Sequence, residues 1–163
     1  MQVRKTGMGN LSTRQVCSRE TASLLAQAIV KLVGRKRTGG VMLVGCQHID
    51  LLIQLAQHGF VDVTCLAVLA GPNAGEMSAD IIIAPAVDRE PRLAAVLSRL
   101  GRGLRPDGVL FLGTAGSPIM TRIWQIQELL TQQGFAFVRT RLEPADIDLL
   151  CCRRIPALQA QAA

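Results

Sequence analysis

The chain has 163 residues, of which 49% are hydrophobic and 18% are charged, with a formal net charge of +6. This length fits one domain with its own core, and the composition excludes a disordered chain. The sequence contains no apolar run long enough to cross a bilayer and begins without a secretory signal peptide, so we expect a cytoplasmic protein that does not bind membranes. Aromatic residues make up 3%, so the scattered basic residues do not predict nucleic-acid binding.

The first half of the chain alternates helical and strand patterns. A flexible arm is expected over residues 1–11, followed by a helix that ends at Gly34. Strands are predicted at 41–46, 61–69 and 81–83, and the second of these is apolar enough for a strand covered on both faces. Between the first two strands, apolar residues at helical spacing predict a helix with this core face: Ile49, Leu52, Ile53 and Ala56.

The second half continues the alternation and ends differently. A helix beginning at Pro91 precedes the turn residues 105–108 and a strand at 109–113. Another helix begins near Ser117 and ends at Gly134, before a hairpin with strands at 135–142 and 146–153 and an unpatterned tail at 155–163. This order predicts an α/β domain with a mainly parallel sheet, helices on both faces and a C-terminal antiparallel hairpin.

The cysteines and histidines do not form a metal-binding pattern. The five cysteines lie mostly in apolar segments without C-x-x-C spacing, and His48 and His58 lack ligand partners at metal spacing. We therefore expect reduced, buried thiols and no metal. The adjacent Cys151 and Cys152 lie in a predicted strand, so their side chains should point to opposite faces.

Three segments resemble motifs of the class I S-adenosylmethionine-dependent methyltransferases. Residues 41–46, Val-Met-Leu-Val-Gly-Cys, are similar to the family's first strand and glycine turn. Residues 79–84 are similar to its fourth strand, and residues 104–112 to the Leu-Lys-Pro-Gly-Gly segment that leads into its fifth strand. The resemblance covers about residues 12–154 and implies a three-layer, Rossmann-like sandwich with S-adenosylmethionine as the candidate cofactor.

Several of the family's motif residues are replaced in this chain. Leu43 stands where the first motif is acidic, and Gln47 and Ile49 stand where the turn has its second and third glycines. The family ends its second strand with a carboxylate that binds the ribose hydroxyls, whereas residues 67–69 here are Ala-Val-Leu. Each lost charge-assisted hydrogen bond costs about 1.5–3 kcal/mol. The resemblance therefore implies a degenerate cofactor site.

The predicted sheet is also shorter than that of the family. Only residues 70–79 separate the second predicted strand from the next, too few for the helix, strand and helix that the family has there. The strand at 61–69 would then form an uncovered, apolar sheet edge. Such an edge predicts a homodimer or a protein partner.

Carried over position by position, the resemblance places the cofactor contacts at three strand ends, with these residues: Gly45, Cys46, Gln47, His48, Ala67, Ala84 and Asp88. Two alternatives stay open at the glycine turn. Cys46 is either a thiolate favoured by a helix N-terminus or a small apolar residue that ends a strand. Asp80 is expected at the opposite end of its strand, and Trp124 to be half exposed, as in an interface.

Two functions are consistent with these features. The favoured one is a non-catalytic scaffold or interaction protein with a methyltransferase-like fold, because the losses fall on cofactor contacts. The alternative is a small S-adenosylmethionine-dependent methyltransferase with an unknown acceptor. The motif Ala84-Pro85-Ala86-Val87 replaces the segment that orients an amine in amino-group methyltransferases, so no catalytic residue is assigned.

Overall fold

The structure, a computed structural model, describes residues 19–34, 39–45, 49–66, 78–114, 120–143 and 145–156. The predicted arm at 1–11 lies outside these residues, as does the predicted tail beyond residue 156. Within the described ranges, every helix is too short or too polar to span a bilayer.

Helices and strands alternate along the described chain. The helices are α1 (Arg19–Val33), α2 (Ile49–Gln57), α3 (Leu93–Gly103) and α4 (Met120–Gln132), and a short 3-10 helix spans Val87–Arg89. The strands are β1 (Val41–Val44), β2 (Val63–Leu66), β3 (Ala79–Ala84), β4 (Leu104–Gly113), β5 (Phe135–Leu142) and β6 (Ile147–Arg154).

The six strands form one sheet in the order β2-β1-β3-β4-β6-β5. The first four are mutually parallel, and β6 pairs antiparallel with both β4 and β5. The predicted mainly parallel sheet with a C-terminal antiparallel hairpin is therefore confirmed. Among the described strands, β2 and β5 are the two edges.

The sheet separates two apolar cores, which completes the predicted three layers. On one face, α3 and α4 pack on strand residues such as Leu110 and Cys152. On the other face, α1 and α2 pack on residues that include Phe111 and Cys151. The two cysteines thus face opposite cores, as the strand period predicts.

The predicted core face of α2 is partly wrong. Leu51 and Leu55 are fully buried, whereas Ile53 is 47% exposed and Ile49 is 68% exposed. Ala56, also predicted to face the core, is exposed. The helix is apolar on more than one side, so helical spacing alone does not select the buried side.

The strand predicted at 61–69 is shorter and more exposed than expected. β2 covers only Val63–Leu66, Thr64 and Cys65 are exposed, and residues 67–69 lie outside the described residues. The expectation that both faces are covered is wrong, because Thr64 and Cys65 point to opposite faces of the sheet and both are exposed. Among the described strands, β2 is an edge that pairs only with β1.

The amino end of the sheet carries a polar contact at Asp80, a residue that the sequence analysis placed at this end. One Asp80 carboxylate oxygen accepts hydrogen bonds from Arg105 Nη1 at 2.8 Å and from the Gly40 N–H at 3.2 Å. Asp80 therefore lies at the strand end opposite Gly45, as expected. The predicted turn at 105–108 becomes an excursion within β4, since Leu104 pairs with Ala79 and Val109 with Ile81.

The described cysteines should differ sharply in reactivity. Cys65 is exposed, whereas burial raises the pKa of the Cys151 and Cys152 thiols. Because the thiolate is the nucleophile, we expect iodoacetamide at pH 8 to label Cys65 in the native protein and to spare the buried pair. Peptide mass spectrometry measures this, with urea-unfolded protein as the control in which all three react. Equal labelling of the three in native protein would contradict the burial.

Candidate functional site

The carboxyl ends of four parallel strands meet at one edge of the sheet, where open α/β sheets bind ligands. β1 ends at Gly45, whose φ of 122° lies in a region that side chains disfavour. The Gly45 N–H donates to the Leu66 carbonyl at 2.9 Å. The glycine turn after β1 and the end of β2 are therefore direct neighbours.

The segment after β3 forms a second part of this edge. Ala84 is 4% exposed and Val87 is 2% exposed, and the short 3-10 helix holds Asp88 partly buried. Arg122 of α4 donates from Nε to the Asp88 carbonyl at 3.1 Å and from Nη2 to the Glu90 carbonyl at 2.6 Å. The Arg122 guanidinium therefore fixes the backbone of this turn.

The carboxyl ends of the neighbouring strands β3 and β4 lie in close contact. A Cβ placed on Gly113 would lie 2.6 Å from the Pro85 carbonyl oxygen, so the backbone after β3 lies directly against the end of β4. Thr114 follows and is 1% exposed. Small residues and backbone therefore occupy this part of the edge.

The structure places some of the predicted cofactor contacts and not others. Gly45, Ala84 and Asp88 all lie at the carboxyl edge, on or just after the neighbouring strands β1 and β3. Cys46, Gln47, His48 and Ala67 lie outside the described residues.

The residues available at this edge match few of the contacts that S-adenosylmethionine receives in the family. Gly45 retains the first glycine of the turn, but Ile49 begins α2 with a side chain where the family has a glycine. In the sequence, no carboxylate occurs between Asp62 and Glu76, so the end of β2 beside Gly45 lacks the ribose ligand. In the described part of the glycine turn, Gly45 therefore keeps the family's motif and Ile49 departs from it.

The sequence reasoning missed a buried ion pair at the same edge. Asp148, 1% exposed, accepts hydrogen bonds from Arg139 Nε and Nη2, each at 3.0 Å. The Asp148 N–H donates to Thr114 Oγ1 at 3.1 Å, and the Thr114 N–H donates to the Asp148 carbonyl at 3.0 Å. The hydrogen bond to Asp148 raises the pKa of Arg139. This cluster joins the ends of β4, β5 and β6.

The sequence contains an indirect signal for the ion pair of Arg139 with Asp148. Asp148 is the one charged residue in the apolar run 147–152 of β6, and the facing strand carries Arg139 and Arg141. Arg141 is directly opposite Asp148 in the hairpin and also forms ion pairs with Asp146 and, at 3.6 Å, with Glu143. Only the hairpin register brings Arg139 and Asp148 together, and sequence spacing does not give that register.

Metal binding finds no support in the described part of the chain. The described residues contain no group of three or more His, Cys, Asp or Glu side chains placed to hold an ion. Trp124 is 65% exposed, in agreement with its predicted exposure, and its interface role stays a prediction.

Comparison with known proteins identifies the fold. No protein-family model and no curated protein matches the chain. Among solved structures, a release factor-specific protein-(glutamine-N5) methyltransferase from Alicyclobacillus acidocaldarius is 14% identical, with a TM-score of 0.59 over 86% of this chain and 95% of that one.

Two further solved structures are also similar to this chain. A SAM dependent methyltransferase from Aquifex aeolicus is 12% identical, with a TM-score of 0.58 over 86% of this chain and 95% of that one. The 1,6-didemethyltoxoflavin-N1-methyltransferase of Burkholderia thailandensis, solved with S-adenosylhomocysteine, is 18% identical, with a TM-score of 0.56 over 88% of this chain and 80% of that one. The chain therefore has the fold of the class I S-adenosylmethionine-dependent methyltransferases.

Proposed function

We propose that this chain uses the methyltransferase fold as a non-catalytic scaffold for protein interaction. One observation carries the proposal: the end of β2, which touches the glycine turn through the bond from Gly45 to Leu66, has no carboxylate to hold a ribose. A nucleoside at this edge would lose charge-assisted hydrogen bonds that contribute about 1.5–3 kcal/mol each.

The close contact between the carboxyl ends of β3 and β4 supports the same function. Methyl transfer requires an acceptor held in line with the donor. Here the backbone of Pro85 lies against Gly113, Ala84 is buried, and Arg122 fixes the turn that follows. No acceptor therefore fits between Pro85 and Gly113.

The alternative function is a small S-adenosylmethionine-dependent methyltransferase. The observation that favours it is Gly45, whose positive φ suits the glycine that follows the family's first strand. The similar solved structures are methyltransferases, but their low identity supports the fold and does not transfer an activity.

Calorimetric titration with S-adenosylmethionine and S-adenosylhomocysteine separates the two functions. For a scaffold we expect neither binding heat nor thermal stabilisation at millimolar ligand. A ligand present at a hundred times its dissociation constant would instead stabilise the fold by about 2.7 kcal/mol.

Micromolar binding would overturn the scaffold proposal, provided that it occurs at the glycine turn. Gly45→Ala tests this, because a side chain is strained at that φ. Gly40→Ala is the matched control at the opposite end of β1, where the nearest atom to a new Cβ is 3.6 Å away. Binding lost in the first variant and kept in the second would establish the methyltransferase site.

A further inference from the structure

The two edges of the sheet differ in charge. β5 bears Arg139 and Arg141, and its neighbour β6 ends in Arg153 and Arg154. At the other edge, β2 itself has no charged residue, and Asp62 lies directly before it in the sequence. Charged side chains, lysines above all, are how proteins prevent a strand edge from pairing with another chain. The described β2 residues, Val63–Leu66, include no Lys or Arg.

The backbone of β2 presents free hydrogen-bonding groups on its outer side. The Asp62 and Leu66 carbonyls accept from the N–H groups of Val41 and Gly45, each at 2.9 Å. In a parallel strand the N–H and C=O of one residue point to the same side, and successive residues alternate. The N–H and C=O groups of Val63 and Cys65 therefore point outward, and no strand among the described residues pairs with them.

Apolar side chains accompany this open strand. Val61 precedes β2 and is 92% exposed, and Ile53 on α2 is 47% exposed. α2 and β2 pack on the same core cluster, since Leu55 and Val63 both belong to it. Exposed carboxylates are interleaved with these residues at Asp50 and Asp62.

We propose that the β2 edge binds an extended, basic segment of a partner protein as an added strand. Backbone hydrogen bonds to Val63 and Cys65 would supply the pairing, and the exposed carboxylates of Asp50 and Asp62 would select Lys or Arg in the segment. The proposal rests on the scaffold function and specifies its partner.

A synthetic peptide tests the chemistry directly. The probe is a short fluorescein-labelled peptide of alternating lysine and valine, and its counterpart replaces lysine with glutamate. Fluorescence anisotropy should show binding of the basic peptide only, and this binding should weaken as salt screens the charges. Amide hydrogen exchange at Val63 and Cys65 should slow when the basic peptide is added. Equal binding of both peptides, or of neither, would overturn the proposal.

Two substitutions at one position test the strand pairing. Cys65→Pro removes an outward N–H without touching the bonds to β1, and proline is tolerated at such edge positions. Cys65→Thr keeps the N–H and is the matched control. Loss of the hydrogen bond should weaken peptide binding up to about tenfold in the proline variant only. Unchanged binding by a folded Cys65→Pro protein would contradict strand addition.

A second copy of this chain is the competing occupant of the β2 edge. Light scattering that shows a dimer in the wild type and a monomer in Cys65→Pro would assign the edge to a second copy and overturn the proposal. Failure here is distinct from failure of the scaffold function. Binding of S-adenosylmethionine would overturn the scaffold function on which the proposal rests, whereas absent peptide binding would overturn the basic partner and leave the scaffold function standing.

Discussion

Replacing Arg139 by methionine is expected to lower the free energy of unfolding by about 3 kcal/mol at neutral pH. The change removes both hydrogen bonds to Asp148, which is 1% exposed, and leaves a buried carboxylate without its main partner. Arg141 Nη1 lies 3.7 Å from the same carboxylate and replaces Arg139 only in part. Arg139 is itself 33% exposed, so water can reach the site, and the loss falls at the low end for a broken buried pair. Urea unfolding at equilibrium measures it.

The matched control removes the charge together with its partner. In Arg139→Met/Asp148→Leu no buried carboxylate remains, so we expect the double variant to recover much of the stability lost in the single one. The Asp148 backbone keeps its two hydrogen bonds with Thr114 in both proteins. A double variant as unstable as Arg139→Met would show that the cost lies in packing and not in the uncompensated charge.

Gly113→Ala is expected to destabilise the fold by about 2–3 kcal/mol, because it overpacks a tight backbone contact. The new Cβ would lie 2.6 Å from the Pro85 carbonyl oxygen and 3.1 Å from the Pro85 Cα. These atoms belong to a backbone that Arg122 holds a few residues later, so the turn after β3 has little freedom to move away. The midpoint of thermal or urea unfolding reports the change.

Gly40→Ala is the control for Gly113→Ala, because a new Cβ at Gly40 meets no close neighbour. Its nearest neighbour to a new Cβ is an Asp62 oxygen at 3.6 Å, an ordinary contact distance. We expect its stability to stay within about 0.5 kcal/mol of the wild type. If Gly113→Ala is tolerated equally well, the carboxyl edge between β3 and β4 is more open than the structure indicates.

The order of helices and strands could be predicted because each has a local signal. Gly34, Gly59 and Gly134 follow helices and adopt positive φ, so the sequence marks three helix ends correctly. The antiparallel direction of β5 and β6 followed from their short connection. These features depend on residues near each other in the chain.

The features that could not be predicted depend on distant parts of the chain. Helical spacing placed Ile53 of α2 in the core, yet the helix buries Leu51 and Leu55, and only the packing of α1 and the sheet selects that side. The ion pair of Arg139 with Asp148 needs the hairpin register, which exact turn geometry sets. The contact of Gly113 with Pro85 depends on the register between β3 and β4, which local sequence does not set.

The place of β6 in the sheet affects how the molecule can be made. β6 is the last described strand along the chain, yet it lies between β4 and β5. Until the ribosome has released it, β4 has no neighbour on that side, and the buried side chains of Leu110 and Leu112 lack the strand that pairs with them. Such contacts between distant residues form slowly. The nascent chain therefore completes this sheet only after residue 154 has left the ribosome, and until then it depends on protection from aggregation.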